Sequence, residues 1–303
     1  ACFSESNPKT ILKRLYDNLS IDNFEIDMVE TVGPDFENID NRLLSLTLVK
    51  ERMTNAVIFT PEGKNKYPSD ILHKKNILTL RGSFRPVTKV NIDMLTEGLN
   101  KFKKNKKVDE NNIQLLLEIT LSNLMTNGQV DERDFLDRAD ILCSLGYTVM
   151  ISNYKKYYKL SEYLSRYTNA RMGLIIGVDN LVEMFDEKYY RNLNGGIMEA
   201  FGIIVTRDIK IYLYPYQADS SKELINSKNI PIHPRAKSIY EYLFNNKRIE
   251  DLNYNSKILD IFSREVLKKI KSCEIGTWEH MVPDGVAKII KDKSLFGMSC
   301  KIK

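Results

Sequence analysis

The segment Ile77–Leu95, ILTLRGSFRPVTKVNIDML, decides the fold of this chain. A short apolar strand, Ile77–Leu80, runs directly into a turn at Gly82, and an amphipathic helix is predicted from about Val90 to Phe102. A glycine turn between a strand and a helix directs backbone N–H groups and a helix N-terminus at one point, which suits an anion. The alternative interpretation is an ordinary strand-to-helix turn without a ligand.

Predicted strands and helices alternate on both sides of this turn. The strands are Phe24–Thr31, Ala56–Thr60, Gln114–Ile119, Tyr147–Ile151, Met172–Ile176 and a part of Ile203–Tyr216. The helices follow a cap at Asp40, span Arg133–Leu145 and Tyr157–Tyr167, follow a cap at Asp179, and include Ser238–Phe244, Ile258–Ile270 and Val286–Ile290. This alternation predicts an α/β fold with a mainly parallel sheet flanked by helices, which binds ligands at the carboxyl ends of its strands.

The chain length allows one large domain or two. It has 303 residues, and domains average about 150. We expect residues 1–76 to form an N-terminal α/β extension that joins the same sheet or covers its edge. Residues 77–303 are predicted to form the main domain, with a helical C-terminal part.

Composition excludes several classes of protein. Hydrophobic residues make up 43% and charged residues 28% of the chain, which excludes a disordered or collagen-like protein. The 45 basic and 40 acidic residues leave a net charge of +5, too mixed to favour nucleic acid as a partner. No apolar run approaches the about 18 residues that a membrane helix requires. We therefore expect no membrane partner.

The cysteines and histidines show no metal-binding pattern. The four cysteines have no CxxC or zinc spacing, and each of the three histidines stands alone. The sequence therefore predicts no metal site. The scattered cysteines favour the cytoplasm or another reducing compartment.

Two further clusters are interpreted as structural. Asp131, Glu132, Asp134 and Asp137 are predicted to lie on a solvated helix with an acidic N-terminal turn. Five tyrosines at roughly helical spacing are interpreted as a packed amphipathic face, with base stacking as the alternative: Tyr154, Tyr157, Tyr158, Tyr163 and Tyr167.

Four segments resemble those of a known family. Gly82–Asn91 (GSFRPVTKVN) resembles the GxFxPxTxxH signature of the nicotinamide/nicotinate mononucleotide adenylyltransferases, part of the nucleotidyltransferase superfamily. Three later segments follow in the family's order: Leu174–Leu181 (LIIGVDNL) is similar to IIGADNL, Ile261–Leu267 (IFSREVL) to ISSTxIR, and Val282–Phe296 to VPxxVxxYIxxxxLY. The resemblance covers about residues 77–297 and implies a Rossmann-like sheet.

The resemblance also implies an activity and a set of site residues. The family transfers AMP from ATP, usually with Mg²⁺, to a pyridine mononucleotide and releases pyrophosphate. By this resemblance the phosphate turn is Gly82, Ser83 and Phe84, and the ribose of ATP meets Gly177 and Asp179. It further places Thr88 and Asn91 at the helix start, and Ser263 and Arg264 at the departing phosphates.

This chain departs from the family at functional positions. Asn91 stands where the family has a histidine, and an asparagine side chain cannot carry a positive charge. Leu267 replaces the family's terminal arginine, and Tyr189 and Tyr190 are the nearest substitutes for its ring-stacking tryptophan. Two alternatives therefore stay open beside an active enzyme. One is a catalytically silent nucleotide-binding module, and the other is a structural subunit of a larger assembly, either a homo-oligomer or a protein complex.

Overall fold

The computed structural model describes residues 8–15, 21–126, 128–217 and 223–299. Its strands are β1 (Ala56–Phe59), β2 (Asn65–Lys66), β3 (Asn76–Arg81), β4 (Ile113–Thr120), β5 (Met125–Thr126), β6 (Gln129–Val130), β7 (Thr148–Ser152), β8 (Met172–Gly177), β9 (Lys210–Tyr214), β10 (Tyr216–Gln217), β11 (Leu224–Ile225) and β12 (Ile249–Asp251). Its α-helices are α1 (Pro8–Leu15), α2 (Asn41–Lys50), α3 (Pro68–Leu72), α4 (Lys89–Lys103), α5 (Glu132–Ser144), α6 (Tyr157–Leu164), α7 (Val178–Met184), α8 (Gly196–Thr206), α9 (Lys237–Asn245), α10 (Ser263–Lys271) and α11 (Val286–Lys293).

Eight strands form one sheet in the order β12-β9-β8-β3-β4-β7-β1-β2. The six strands from β12 to β7 are parallel, whereas β1 and β2 are antiparallel to their neighbours. The chain moves from β3 outward through β4 to β7, then crosses to the other side of β3 and continues through β8, β9 and β12. This is the doubly wound order of Rossmann folds. The predicted α/β fold with a mainly parallel sheet is confirmed.

Both faces of the sheet are buried, which explains why its central strands are mostly apolar. Leu117 and Ile119 pack into one apolar layer, and Leu116 packs into the layer on the opposite face. Successive side chains of a strand point to opposite faces, so a strand covered on both sides is apolar at most of its positions.

The N-terminal part of the chain reaches the same sheet. Strand β1 pairs with the outer edge of β7, where Ala56 lies opposite Ser152. The strand predicted over Phe24–Thr31 is wrong, because this segment has no strand partner. Ile26 and Val29 of this segment instead pack against a small apolar cluster that includes Leu44 and Leu48 of α2, whereas Phe24 is exposed.

Helix starts show where local sequence signals hold and where they fail. Asp40 caps α2 as predicted, since its carboxylate accepts a hydrogen bond from the Arg42 backbone N–H at 2.9 Å. Asp179 does not cap α7: the N-cap residue is Gly177, and Asp179 lies in the first turn. Helix α10 begins at Ser263, so the helical stretch is shorter than the predicted Ile258–Ile270.

Two further sequence expectations concern the cysteines and the membrane. Cys273 is disulfide-bonded, whereas Cys143 is a buried free thiol. Disulfides are uncommon in reducing compartments, so Cys273 weighs against the predicted compartment, which stays a prediction. Within the described residues, no helix is both long enough and apolar enough to span a bilayer.

Candidate functional site

The doubly wound topology defines where a ligand binds most readily. Strands β3 and β8 are parallel neighbours, with Leu80 opposite Ile175. Just beyond this pair, Gly82 follows β3 and Gly177 ends β8. The chain leaves these two strands toward opposite sides of the sheet. Crevices at such a switch point, outside the carboxyl ends of the strands, are the usual ligand sites of open α/β sheets.

A cavity of about 360 Å³ opens at these strand ends, and we call it the switch-point cavity. Its wall is formed by the segments that follow β3, β4 and β7, together with α7 and the turn after it. The lining residues are Arg81, Gly82, Ser83, Thr120, Ser122, Asn123, Lys155, Lys156, Tyr157, Asn180, Glu183, Met184, Tyr189 and Tyr190.

A buried ion pair holds one wall of this cavity. Arg81 donates two hydrogen bonds to the carboxylate of Glu118, at 2.8 and 2.9 Å, and Glu118 is fully buried. Ser152 donates a third hydrogen bond to Glu118 at 2.5 Å. The Arg81 guanidinium also donates to the backbone carbonyls of Tyr154 and Lys155, at 2.8 and 3.2 Å. Arg81 is thus satisfied by the protein and shapes the wall by fixing the segment after β7.

That segment brings aromatic rings and cations to the cavity. The ring of Tyr157 lies 4.3 Å from the Arg81 guanidinium, and burial raises the pKa of Tyr157 to about 12, so its phenol stays neutral near pH 7. The Lys156 ammonium lies 3.3 Å from the centre of the Tyr189 ring. A half-buried aromatic ring with a cation beside it suits a ligand that combines a flat ring with a negative charge.

The glycine turn is tight because of a neighbouring aromatic ring. A Cβ atom at Gly82 would lie 2.9 Å from the Cζ atom of Phe84. Phe84 has a left-handed backbone (φ 46°), and its ring is buried in the core. Glycine at position 82 therefore makes room for the buried ring of Phe84.

Helix α5 anchors the turn through buried charges. Arg138, which is 1% exposed, donates hydrogen bonds to the backbone carbonyls of Ser83 at 2.9 Å and Asn123 at 2.8 Å, and it pairs with Asp134. Asp134 also accepts a hydrogen bond from Arg85 at 2.5 Å.

The prediction of a solvated acidic face on α5 is wrong for Asp134 and Asp137, whereas Asp131 is exposed and caps the helix start as an acidic residue. Asp134 and Asp137 are both buried. The Asp137 carboxylate accepts a hydrogen bond from the backbone N–H of Phe296 at 2.7 Å. These carboxylates face the protein because cationic and N–H partners are available there.

Thr88 and Asn91 cap the start of α4. The side-chain oxygen of Asn91 accepts hydrogen bonds from the Thr88 backbone N–H at 2.9 Å and from the Thr88 hydroxyl at 3.1 Å. Thr88 is buried, and neither residue lines the switch-point cavity. Their side chains thus organise the helix N-terminus in this structure.

The start of α10 reaches the glycine turn. The hydroxyl of Ser263 donates a hydrogen bond to the carbonyl of Pro86 at 2.8 Å, across 177 residues of sequence. Arg264 is largely exposed, and its guanidinium lies 5.1 Å from the centre of the Phe262 ring. The structure therefore brings the segments around positions 82–91 and 263 together.

The two residues expected at a ribose lie at the end of β8. A Cβ atom added to Gly177 would have no atom within 4 Å, so the backbone there borders open space. Asp179 is exposed and lines a neighbouring cavity of about 710 Å³, not the switch-point cavity. Of the residues predicted for the site, Gly82 and Ser83 line the switch-point cavity.

Sequence reasoning missed part of the site. It treated Tyr157 as helix packing and did not single out Lys155 or Lys156. The available signal was the run Tyr154–Tyr158, YKKYY, which directly follows a buried strand. Tyr189 and Tyr190, named only as substitutes for a tryptophan, do line the cavity. Among the described residues, no group of His, Cys, Asp or Glu side chains could hold a metal ion.

Comparison with known proteins adds a resemblance in fold only. No protein-family sequence model matches the chain, and no curated protein matches it in sequence. Among solved structures, it is similar to Plasmodium falciparum nicotinic acid mononucleotide adenylyltransferase complexed with NaAD, at 14% identity and a TM-score of 0.44, over 74% of this chain and 98% of that chain. A likeness at this level carries no argument about the function of this chain.

Proposed function

We propose that this protein binds nucleotides at the switch point and transfers AMP from ATP to nicotinamide or nicotinate mononucleotide. The observation that carries the proposal is the meeting of three backbone elements at one place. The glycine turn after β3 lines the switch-point cavity, β8 is the neighbouring strand, and the Ser263–Pro86 hydrogen bond ties the start of α10 to that turn. Backbone N–H groups at helix starts and glycine turns suit phosphate groups.

In this proposal each element has a role in positioning the reactants. The turn Gly82–Phe84 and the α4 start at Thr88 and Asn91 face the phosphates of ATP. Gly177, which borders open space, and Asp179 hold its ribose, while Ser263 and Arg264 meet the departing phosphates. Mg²⁺ would arrive bound to the phosphates of ATP, because the described residues offer no metal-binding cluster of their own.

The proposed acceptor lies in the switch-point cavity. Its pyridine ring packs against Tyr189, and Lys155 and Lys156 face its phosphate. An oxygen of that phosphate attacks the α-phosphorus of ATP in line. The bond between the α-phosphorus and the bridging oxygen breaks, and pyrophosphate leaves with the electron pair. Such a reaction requires positioning and charge stabilisation and no covalent enzyme intermediate.

A second candidate function is a nucleotide-binding module without catalysis. The observation that favours it is that the side-chain oxygen of Asn91 already accepts hydrogen bonds from Thr88. In addition, an asparagine side chain is neutral, so position 91 offers no positive charge to the phosphates. Loss of one charge-stabilising donor lowers rates by about 10²–10³-fold.

The test combines binding and turnover. The purified chain is titrated by calorimetry with Mg-ATP, each of the two mononucleotides and NAD, and pyrophosphate release is followed in parallel. Binding with turnover supports the transferase, and binding without turnover supports the silent module. If no nucleotide binds, both candidates are wrong and a structural role in an assembly becomes the remaining explanation.

Two variants locate the acceptor. Tyr189→Ala should weaken mononucleotide binding by about tenfold or more, because stacking of a base on an aromatic ring contributes about 1–3 kcal/mol. Tyr242→Ala, which removes an exposed tyrosine of α9, is the matched control and should bind as the wild type does. Equal affinities of the two variants would show that the acceptor does not bind in the switch-point cavity.

A further inference from the structure

A second concave surface lies beside the switch-point cavity, and cationic side chains dominate its wall. This basic groove has a volume of about 540 Å³. Its charged lining residues within the described chain are Arg52, Lys155, Lys156, Lys159, Arg166 and one carboxylate, Glu162. Because Lys155, Lys156 and Tyr189 line both surfaces, the groove and the switch-point cavity are contiguous.

Three of the five cations that line the groove have no ion-pair partner among the described carboxylates, although the charges of Glu25 and Glu183 act on other lining residues. Glu162 pairs with Lys159 at 2.9 Å. Among the described residues, no carboxylate lies within ion-pair distance of Arg52, Lys155 or Arg166. Clustered like charges repel one another, so an anion in the groove would relieve this repulsion.

The surroundings of Lys156 also disfavour its positive charge, because they lower its pKa. Burial lowers the pKa of Lys156, the carboxylates of Glu183 and Asp186 partly oppose this, and the nearby charges of Lys155 and Lys188 lower it further. A bound anion would stabilise the protonated form of Lys156.

The N-terminal part of the chain completes the groove. Strand β1 runs antiparallel to β7, so the residues before β1 lie beside those that follow β7. The backbone N–H of Asn153 donates to the carbonyl of Asn55 at 2.8 Å. This contact places Arg52 and Asn55 opposite the segment that carries Lys155.

Tyr154 and Tyr163, which line the groove, pack against other tyrosine rings, and this disfavours a ligand that binds by stacking on them. The rings of Tyr154 and Tyr163 have centres 5.1 Å apart, and those of Tyr163 and Tyr167 are 5.3 Å apart. Proteins that bind single-stranded nucleic acid stack bases on free aromatic faces. The groove instead offers cations and side-chain amides, which suit phosphate oxygens.

We propose that the basic groove is a binding site for a compact polyphosphate anion, which adjoins the proposed nucleotide site and shares Lys155 and Lys156 with it. Its cations would contact the phosphate oxygens, assisted by the lining amides Asn55, Asn153 and Asn192. The site does not depend on nucleotidyl transfer. It gives the N-terminal part of the chain a role in binding, because that part supplies Arg52.

The test is calorimetric titration of the full chain with tripolyphosphate at constant ionic strength. Arg52→Gly is the decisive variant, since Arg52 follows α2 with a left-handed backbone (φ 57°), a conformation that glycine adopts without strain. We expect this variant to melt at the wild-type temperature or above it. Its affinity should fall by about tenfold, as expected for loss of one charged hydrogen bond.

Lys247→Gly is a matched control. Lys247 follows α9 with nearly the same backbone angle (φ 55°), is exposed and lies outside the groove. It should bind tripolyphosphate as the wild type does. Arg166→Gln, which removes the charge of another residue that lines the groove, should weaken binding as Arg52→Gly does.

Three results would overturn the proposal. The first is absence of tripolyphosphate binding to the wild type. The second is equal affinity of Arg52→Gly and the wild type, which would place the anion elsewhere, for example at the glycine turn. The third is binding of a single-stranded RNA oligonucleotide without binding of tripolyphosphate, which would identify a different class of ligand.

Discussion

Replacing Arg138 by methionine should destabilise the protein more than any exposed substitution on the same helix. The change removes a fully buried guanidinium that pairs with Asp134 and donates to the carbonyls of Ser83 and Asn123. Methionine fills a similar volume but donates no hydrogen bond. Asp134 keeps only its contact with Arg85, and the two carbonyls lose their charged donor.

The expected magnitude follows from these contacts. Breaking a buried ion pair by removing one partner costs about 3–5 kcal/mol. The remaining Asp134–Arg85 pair reduces this cost, and each unsatisfied carbonyl adds about 1–3 kcal/mol. We therefore expect the free energy of unfolding to fall by about 3–5 kcal/mol, a large part of the about 5–15 kcal/mol of a typical domain.

Urea unfolding followed by tryptophan fluorescence provides the assay. Trp278 is the only tryptophan of the chain and is fully buried, so its emission reports loss of the core. Arg133→Met is the matched control on the exposed face of α5 and should change stability by less than about 0.5 kcal/mol. If Arg138→Met unfolds at the same urea concentration as Arg133→Met, the anchoring role of Arg138 is refuted.

Three further predictions concern the turn, an acid-sensitive carboxylate and a buried phenol. Gly82→Ala should lower the free energy of unfolding by about 1–3 kcal/mol, because its Cβ would lie 2.9 Å from the Phe84 ring; a urea midpoint equal to that of the wild type would contradict this. Burial opposes ionisation of Glu279, but hydrogen bonds from a lysine and from backbone N–H groups outweigh it and lower its pKa from 4.5 to about 2. Its ionised form therefore stabilises the fold above pH 4.5, and this contribution is lost as the pH falls toward 2. Melting temperatures should accordingly fall less steeply over this range in Glu279→Gln, and parallel curves would disprove the linkage. Tyr157→Phe should not destabilise the protein, because the buried Tyr157 hydroxyl has no hydrogen-bond partner among the described residues. Tyr190→Phe, which loses a 2.7 Å hydrogen bond to a backbone carbonyl, should cost about 1 kcal/mol in the same urea assay.

The main sheet was predictable because its strands carry a strong local signal. Met172–Ile176 carries no polar side chain and Ile77–Leu80 carries only Thr79, as expected for a sheet buried on both faces. Phe24–Thr31 shows the limit of this reasoning. Its alternating pattern is that of a half-buried strand, but a strand exists only where a partner offers hydrogen bonds.

The site was only partly predictable, because its walls come from elements that are distant in sequence. The glycine turn could be found from the strand-to-helix pattern around Gly82. The contribution of Lys155 and Lys156 depends on β7 lying two strands away from β3, which periodicity does not determine. The burial of Asp137 likewise depends on the backbone of Phe296, 159 residues further along the chain.

The antiparallel strand β1 has a consequence for the solubility of the chain. All five residues of β7 are buried, and β1 satisfies the outward-facing hydrogen-bonding groups of that strand. Without β1, an apolar strand would present an open edge that can pair with the same edge of another copy. A chain shortened to begin at residue 68 is therefore expected to aggregate. The N-terminal segment prevents this by pairing β1 with the edge of β7.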